Sequence, residues 1–265
     1  MKSFAYHQPG GIPEAAKLLS SVAESKLVAG GMTLIPTLKQ RLAQPEALID
    51  LSSLADLRGI SDDGATITIG AMTPHAQVAA SELVRGKIPA LAALASMIGD
   101  PAVRNRGTIG GSVANNDPAA DYPAGTLGLG ATIVTNAREI AADAFFLGLF
   151  ETALEAGEII TGIRFPVPLK AGYAKFKAPA SRYALVGVFV AQLPAGVRVA
   201  VTGAGAGVFR VPPMEAALSN NFDASAIAAI KIDADGLTSD IHAEADYRAH
   251  LVTVMAKRAV GAALG

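Results

Sequence analysis

Two pairs of adjacent glycines, each placed after an apolar segment, constrain this chain most strongly. The first pair is Gly30-Gly31 and the second is Gly110-Gly111. Glycine allows backbone N–H groups to approach an anion closely, and a helix N-terminus favours negative charge. Alone, the first pair is more typical of a simple tight turn. Two such loops in one domain predict a pair of turns that grip a diphosphate from both sides.

The composition indicates a globular protein with ample material for a buried core. The chain has 265 residues, of which 51% are hydrophobic and 17% charged, which suggests one large or two modest domains. The net charge of −1 has no long run of either sign, so we expect neither nucleic acid nor an anionic membrane as a partner. No cysteine is present, which excludes disulfides, thiolate zinc sites and iron–sulfur clusters held by this chain alone.

The N-terminus lacks the apolar core of a signal peptide, and no uninterrupted apolar run reaches membrane-spanning length. We therefore expect no integral membrane segment and a cytoplasmic location.

Apolar periodicity predicts a compact β–turn–α–β unit at the start of the chain. Its expected elements are a helix over residues 14–24, a strand over 26–29, a helix from Thr33 to Leu42 with Thr33 as N-cap, and a strand over 47–51. A hairpin should then turn at Asp62-Asp63-Gly64, with a helix starting at Thr73-Pro74.

The patterns in the rest of the chain predict a mixture of helices and strands. The expected helices cover residues 88–98, 145–153, 225–230 and 245–263. The expected strands cover residues 131–135 and 159–165, followed by an antiparallel pair over 185–193 and 197–202. We place a domain boundary near residue 170, because the pattern changes after Pro166 and Pro168.

Charged residues flank the second glycine pair on both sides. Thr108 and Ser112 add hydroxyl groups to the glycine loop, while Arg104 and Arg106 precede it. The two arginines can contact a ligand, or they can serve packing or an interface. Both interpretations stay open. Asp121 can accept hydrogen bonds from ribose or ring N–H groups, or it can cap a helix before Tyr122-Pro123.

Other motifs do not support a catalytic or metal site. The Gly203–Gly207 stretch follows a strand, but its third glycine is misplaced for a dinucleotide fingerprint, and we expect no helix to open at Pro212-Pro213. The four histidines lack metal-ligand spacing, and there is no Gly-x-Ser-x-Gly elbow. We therefore assign no catalytic residue and no metal ligand.

The glycine loops and several further segments resemble the FAD-binding medium subunits of the molybdenum hydroxylase family, which includes xanthine dehydrogenase and aerobic carbon monoxide dehydrogenase. The matching segments run almost from end to end of the chain: Ala29–Thr33, Ile69–Thr73, Thr108–Ser112, Asn115–Asp121, Ile159–Pro166, Tyr173–Phe176, Ser181–Ala184 and His242–Arg248.

This resemblance implies an α+β fold with a vanillyl-alcohol-oxidase (PCMH)-type FAD-binding domain in residues 1–170. Its two α/β subdomains would cover about residues 1–55 and 56–170. A C-terminal domain, residues 171–265, would then form an antiparallel sheet with helices, similar to the C-terminal domain of carbon monoxide dehydrogenase flavoproteins.

The resemblance also implies the residues of an FAD site. The diphosphate loops would comprise Val28, Ala29, Gly30, Gly31, Met32, Thr33 and Leu34, together with Thr108, Ile109, Gly110, Gly111 and Ser112. Asn115 would also contact the cofactor, Asp121 would contact its ribose or flavin side, and Ile160 would pack near the flavin. Lys175 and Tyr183 would lie near the isoalloxazine.

The last two residues have a plausible chemistry. A lysine beside N1 and the C2 carbonyl favours an anionic reduced flavin, and a tyrosine can cover one ring face. From the residues alone, an exposed strand lysine and a packed aromatic remain open for Lys175 and Tyr183.

Two departures from the family pattern matter. Met32 stands where a polar residue is common, which leaves only the backbone cradle there. The chain also lacks the cysteine-bearing insertion of the benzoyl-CoA-reducing branch, which disfavours that branch.

The resemblance implies electron transfer within a larger complex. A large molybdopterin subunit would oxidise the substrate, and a small subunit with two [2Fe–2S] clusters would pass electrons to FAD on this chain. The acceptor would be NAD, a quinone or oxygen, and the assembly a dimer of heterotrimers. The alternatives are a stand-alone flavin oxidoreductase of the same fold and a cofactor-free assembly subunit.

Overall fold

The computed structural model describes all 265 residues and contains sheets of three, five, four and two strands. The strands are β1 (Ala5–His7), β2 (Ser25–Val28), β3 (Ala47–Asp50), β4 (Ile60–Asp62), β5 (Thr66–Gly70), β6 (Thr132–Thr135), β7 (Glu139–Ala141), β8 (Phe146–Gly148), β9 (Glu151–Thr152), β10 (Ile160–Pro166), β11 (Lys170–Lys177), β12 (Ala184–Leu193), β13 (Gly196–Thr202) and β14 (Phe209–Arg210).

The α-helices are α1 (Ile12–Ser21), α2 (Leu34–Lys39), α3 (His75–Ala80), α4 (Glu82–Lys87), α5 (Pro89–Ser96), α6 (Pro101–Arg106), α7 (Ile109–Asn115), α8 (Asp121–Gly128), α9 (Ala142–Phe145), α10 (Pro212–Asn220) and α11 (Ala245–Leu264). Short 3-10 turns occur at Ala55–Leu57 and Ala224–Ile227. The fold is α+β, as predicted.

The first sheet is parallel and has the strand order β1-β3-β2. Parallel neighbours need a crossover connection, which α1 and α2 provide on either side of β2. Ala15 on α1 and Ile49 on β3 are fully buried in the core beneath this sheet. The predicted β–turn–α–β unit is confirmed.

The second sheet has the strand order β4-β5-β10-β6-β7, with antiparallel neighbours throughout. Along β5, Ile67 and Ile69 are fully buried, whereas Thr66 and Thr68 on the other face are only partly buried. This alternation is typical of a sheet with one face on the core. The predicted hairpin at Asp62-Asp63-Gly64 is confirmed.

The third sheet has the order β11-β12-β13-β14, and β12 lies at its centre. Nine of the ten β12 residues are buried, because both faces of this strand are covered. Val186, Val188 and Val190 share one core with α11. Phe189 and Ala191 join the core of the second sheet instead.

The predicted helix over residues 145–153 is wrong. Helix α9 ends at Phe145, and the chain continues into the small hairpin β8–β9. The hairpin exposes Leu147, Leu149 and Phe150, each more than half accessible. An apolar run suggested a buried helix, but a tertiary contact sets its conformation: the buried Asn116 side chain donates to the carbonyls of Gly148 and Glu151.

The expectation that no helix opens at Pro212-Pro213 is also wrong, because α10 begins at Pro212. The first N–H groups of a helix have no intrahelical partner, so proline at these positions loses nothing. The helix predicted over residues 225–230 is a 3-10 turn at Ala224–Ile227. The predicted helix over residues 245–263 is confirmed as α11.

No helix combines the length and apolar character required to cross a bilayer.

Candidate functional site

The first glycine loop connects β2 to α2 and leaves a row of backbone donors unused. Gly31 has a left-handed φ of +71°, a conformation that glycine adopts without strain. The N–H groups of Gly30, Gly31, Met32 and Thr33 donate to no acceptor in the protein. Thr33 occupies the N-cap position, but its side chain accepts no capping hydrogen bond. The loop therefore presents four consecutive free donors.

The second glycine loop is built differently. Thr108 caps α7 by accepting the Gly111 N–H at 3.2 Å. The N–H groups of Ile109 and Gly110 donate to the carbonyls of Thr73 and Ala71, and that of Ser112 donates to the Thr108 carbonyl. Contrary to the expectation from sequence, these three N–H groups are already paired within the protein. Gly110 is needed for close packing, since a Cβ there would lie 2.5 Å from Ala71 Cβ.

The two loops meet, although they are far apart in the sequence. A Cβ on Gly30 would lie 2.0 Å from the carbonyl oxygen of Arg106, so only glycine permits this approach. A Cβ on Gly111 would lie 3.7 Å from Ala29 Cβ, which is ordinary contact distance. The free donors of the first loop thus lie beside the Thr108 cap and the Gly111 backbone of the second.

The two arginines before the second loop differ in their contacts. The Arg104 side chain donates through Nη1 to the carbonyls of Ile98 and Gly99, at 2.9 and 3.1 Å. These bonds satisfy carbonyls just beyond the end of α5, which is a packing role. Arg106 is exposed, and it is its backbone carbonyl that contacts the first loop.

A buried polar cluster forms where the third sheet reaches α8. Asp121, the first residue of α8, is 4% exposed. Its Oδ1 accepts the Tyr173 hydroxyl at 2.5 Å and lies 2.9 Å from Lys175 Nζ, which is 3.0 Å from Oδ2. Lys175 Nζ also donates to the Met97 carbonyl at 3.0 Å. Burial raises the pKa of Asp121, while the Lys175 charge and the Tyr173 hydroxyl oppose that shift.

The remaining predicted residues surround these features. Tyr183 is 44% exposed and precedes Ala184, whose N–H donates to the Ala119 carbonyl. Ile160 opens β10 and is 5% exposed within the core. Asn115 is the last residue of α7 and is half-buried. Val28, Leu34 and Ser112 are partly buried beside the glycine loops, and Met32 is 37% exposed.

Sequence reasoning missed the residues that connect the third sheet to this region. Tyr173 and Lys175 are two positions apart on β11, and this spacing puts both side chains on one face of a strand. That alternation could have linked Tyr173 to the predicted Lys175. Thr202 carries no such signal: its hydroxyl lies 2.9 Å from the Pro118 carbonyl and 2.7 Å from that of Ala120.

A separate polar cleft of about 480 Å³ lies on the outer face of the second sheet, with Arg58, Thr68, Thr161 and Arg164 among its lining residues. The Arg164 guanidinium is already paired with Glu139. None of the predicted site residues lines this cleft, so its location does not coincide with the glycine loops.

The residues at the glycine loops fit a bound diphosphate. Backbone N–H groups without acceptors suit phosphate oxygens, and the neighbouring hydroxyls of Thr33 and Thr108 add polar groups of the right kind. The close approach at Gly30 keeps the two loops together. The donor set is thus suited to the middle of a dinucleotide such as FAD.

Comparison with known families gives the class of the protein. A family profile described as the FAD binding domain in molybdopterin dehydrogenase matches residues 2–168, more than half of the chain. The chain belongs to this family, and its cofactor is FAD. It is a flavoprotein subunit of the molybdenum hydroxylase oxidoreductases, of the medium-chain type.

Particular relatives match over nearly the whole length. The carbon monoxide dehydrogenase medium chain of Hydrogenophaga pseudoflava is 36% identical, with 98% of this chain and 96% of that protein covered. The nicotine 6-hydroxylase medium subunit of Paenarthrobacter nicotinovorans is also 36% identical, with 98% and 97% covered.

Solved structures agree with this assignment. Reconstituted CO dehydrogenase from Oligotropha carboxidovorans has a chain that superposes with a TM-score of 0.91 at 33% identity, covering 99% of this chain and 98% of its own length. A chain of quinoline 2-oxidoreductase from Pseudomonas putida 86 superposes with a TM-score of 0.89 at 29% identity, covering 100% and 99%.

Proposed function

We propose that this chain is the electron-output subunit of a molybdenum hydroxylase complex. It would accept electrons from the [2Fe–2S] clusters of a small partner subunit and pass them to an external acceptor. The observation that carries the proposal is the meeting of two distant glycine loops beside four free backbone donors. Full-length similarity to medium chains of such enzymes supports it.

The proposed binding mode divides the work between the two loops. The N–H groups from Gly30 to Thr33 hold the diphosphate of FAD, while the second loop supplies the hydroxyls of Thr108 and Ser112, and its Gly111 N–H stays donated to Thr108. The paired N–H groups of Ile109 and Gly110 position this loop rather than bind phosphate. Val28, Ala29, Met32 and Leu34 shape the first loop around the diphosphate.

The proposed flavin end of the site lies towards the third sheet. We assign Asn115, Asp121, Ile160, Lys175 and Tyr183 to its surroundings. Asp121 offsets the positive charge of Lys175, because their polar atoms are about 3 Å apart in a buried setting. The pair therefore presents less positive charge to a flavin than a lone ammonium would. Tyr183 is exposed enough to lie against a ring face.

Bound FAD supplies the redox chemistry, as cofactors generally do, and the protein supplies binding, orientation and electrostatics. No side chain is required as an acid or base in this proposal. The absence of cysteine fits an arrangement in which the clusters belong to another chain.

The proposed partners are a small [2Fe–2S] subunit and a large molybdopterin subunit, assembled as a dimer of heterotrimers. Several relatives are described as medium chains or subunits, and one, from Paenarthrobacter nicotinovorans, as subunit alpha of the 6-hydroxypseudooxynicotine dehydrogenase complex. We further propose a cytoplasmic location for this chain.

We also propose a division of the chain near residue 170 into an FAD-binding unit and a C-terminal unit, with the FAD-binding unit split near residue 55. The family match ends at residue 168 and the third sheet begins at Lys170, which support the main boundary. The two units share a core, since Tyr173 and Phe189 pack with the second sheet.

The cofactor assignment is tested by FAD titration of the full-length chain with two matched glycine variants. Gly31→Ala places a side chain at φ +71° in the first loop, whereas Gly196→Ala does so at φ +132° in the β12–β13 turn, where nothing lies within 4 Å. We expect only Gly31→Ala to weaken FAD binding. Equal FAD affinity in both variants would contradict the cradle assignment.

The complex is tested by affinity purification of the tagged chain from its source organism. Co-purification of two further subunits with iron, molybdenum and FAD in fixed ratio supports the proposal. Reduction of the isolated yellow protein by a small substrate, with no partner present, would instead identify a stand-alone flavin oxidoreductase. A chain that takes up no FAD would be an assembly subunit.

A further inference from the structure

The segment from Asp117 to Asp121 makes several hydrogen bonds with residues of the third sheet and the turn that follows β13. It joins the end of α7 to the start of α8, so it connects the second glycine loop to the buried Asp121. Ala184 N–H donates to the Ala119 carbonyl at 3.2 Å, and Gly203 N–H donates to the Pro118 carbonyl at 2.7 Å. The third sheet thus contacts consecutive peptide groups of this segment.

Thr202 makes the most concentrated of these contacts. It is fully buried at the end of β13. Its hydroxyl oxygen lies 2.9 Å from the Pro118 carbonyl and 2.7 Å from the Ala120 carbonyl. One hydroxyl proton is shared between these two carbonyl oxygens. Removing this hydroxyl would leave the Ala120 carbonyl oxygen without a donor, which is unfavourable for a buried acceptor, whereas the Pro118 oxygen would keep the Gly203 N–H.

The sheet is itself braced around this contact. Gly187 pairs with Thr202 across the strands, and a Cβ at position 187 would lie 2.5 Å from the Tyr173 hydroxyl. Glycine at 187 therefore makes room for the hydroxyl that Asp121 accepts. The buried Arg248 of α11 donates to the carbonyls of Leu185 and Gly203, at 2.8 Å each. Gly203 therefore donates its N–H to Pro118 and accepts a hydrogen bond from Arg248 through its carbonyl.

We propose that the third sheet sets the position of residues 117–121 at the FAD site, and that Thr202 is the principal positioning residue. This inference rests on the proposed FAD site. Thr202 touches no part of a cofactor in this scheme; it acts through the carbonyls of Pro118 and Ala120. Displacement of this segment shifts Asp121 relative to Lys175 at one end and α7 relative to the first loop at the other.

The role is separable from simple support of β13. The backbone of Thr202 pairs with Gly187 and needs no hydroxyl for that register. Thr202→Val keeps the side-chain shape and the strand propensity but removes the donor. Thr202→Ser keeps the donor and loses a methyl group. A positioning role requires the serine variant to retain what the valine variant loses.

The test uses the full-length chain with Thr202→Val, Thr202→Ser and the control Thr253→Val. Thr253 lies on α11, where its hydroxyl donates to the Ile230 carbonyl away from residues 117–121. We expect Thr202→Val to raise the FAD dissociation constant about three- to tenfold, the equivalent of one net hydrogen bond. We expect Thr202→Ser and Thr253→Val to bind FAD with wild-type affinity.

Hydrogen exchange of the FAD-free chain gives a second readout. The Ala119 and Ala120 amides should exchange about three- to tenfold faster in Thr202→Val than in the wild type or Thr253→Val. Unchanged exchange and unchanged FAD affinity in Thr202→Val would overturn the positioning role, as would equal losses in the valine and serine variants. If the wild-type chain binds no FAD, the proposed FAD site is refuted. Faster exchange in Thr202→Val than in the wild type would then still support the role of Thr202 in positioning residues 117–121.

Discussion

The ammonium nitrogen of Lys175 lies 2.9 Å from Oδ1 of Asp121, and the two side chains are 1% and 5% exposed. The pair connects β11 of the third sheet to the first residue of α8. Removing one partner from a buried ion pair leaves an uncompensated charge, which costs more than the pair contributes. The stability of the contact between β11 and α8 therefore depends on both members of the pair.

Lys175→Met should accordingly destabilise the FAD-free chain by about 3–5 kcal/mol. The double variant Lys175→Met/Asp121→Asn should recover much of this loss, because neither charge is then left buried alone. Urea denaturation of the wild type, both single variants and the double variant gives the coupling energy. Additive losses in the double variant would show that the two side chains do not stabilise each other.

The second prediction concerns acid sensitivity at His75, which is 4% exposed. Burial, with a smaller contribution from the Arg104 charge, lowers the pKa of His75 from 6.5 to about 4. The pKa of His75 is lower in the folded chain than in the unfolded chain. The stability that the neutral, buried imidazole contributes is therefore fully present above pH 6.5. It decreases as the pH falls towards 4, by about 3 kcal/mol in total.

His75→Gln should therefore flatten the decline in unfolding free energy between pH 6.5 and 4, measured by urea denaturation at several pH values. The control His250→Gln changes an exposed histidine on α11 and should keep the wild-type slope. An unchanged slope in His75→Gln would refute the buried neutral imidazole.

The third prediction concerns Gly110. If this glycine served only to bind the cofactor, its substitution would leave the stability of the FAD-free chain unchanged. A methyl group there would lie 2.5 Å from Ala71 Cβ and 2.7 Å from the Ala71 carbonyl oxygen. We therefore expect Gly110→Ala to cost about 1–3 kcal/mol even without FAD. Thermal unfolding of the FAD-free chain measures this cost.

Gly86→Ala on α4 is the matched control for that measurement, since a Cβ there meets nothing within 4 Å. It should raise stability by up to about 1 kcal/mol through helix propensity. If Gly110→Ala unfolds at the wild-type temperature, the close approach to Ala71 is wrong.

The fourth prediction concerns Asn116, which holds the β8–β9 hairpin. Its amide nitrogen lies 2.8 Å from each of the carbonyl oxygens of Gly148 and Glu151. Asn116→Asp would place a carboxylate against two acceptors and should cost about 3 kcal/mol. We expect faster hydrogen exchange and proteolysis within residues 146–152.

Asn105→Asp provides the comparison, because the exposed Asn105 amide donates to a single carbonyl, that of Pro101. This variant should leave the hairpin protected. Equal protection of the hairpin in Asn116→Asp would mean that its conformation does not depend on the amide.

Local patterns predicted most elements because the residues that set them are near in sequence. The alternation in β5, the glycine turns and the long periodic helix α11 are of this kind. The two clear errors arose where distant contacts or position within a helix decide the outcome. The β8–β9 hairpin depends on Asn116, and the prolines at 212 and 213 are favourable only because they begin α10.

The site divides in the same way. Sequence motifs indicated both glycine loops, and the family resemblance implied Asp121 and Lys175 as residues of the proposed site. They did not reveal that Gly30 and Gly110 serve close packing, or that most second-loop N–H groups are already paired. These properties depend on which backbone atoms lie opposite, and those atoms belong to distant segments.

By itself, the sequence determined the α+β composition and the positions of the two glycine loops, because glycine placement and apolar periodicity act over a few residues, and the resemblance of its segments indicated the family. Only the tertiary structure decided that Lys175 pairs with Asp121, that Tyr173 donates to the same carboxylate, and that Thr202 serves the carbonyls of Pro118 and Ala120. These partners lie more than fifty positions apart, and a buried polar group takes whichever partner the packing of the core places within hydrogen-bonding distance.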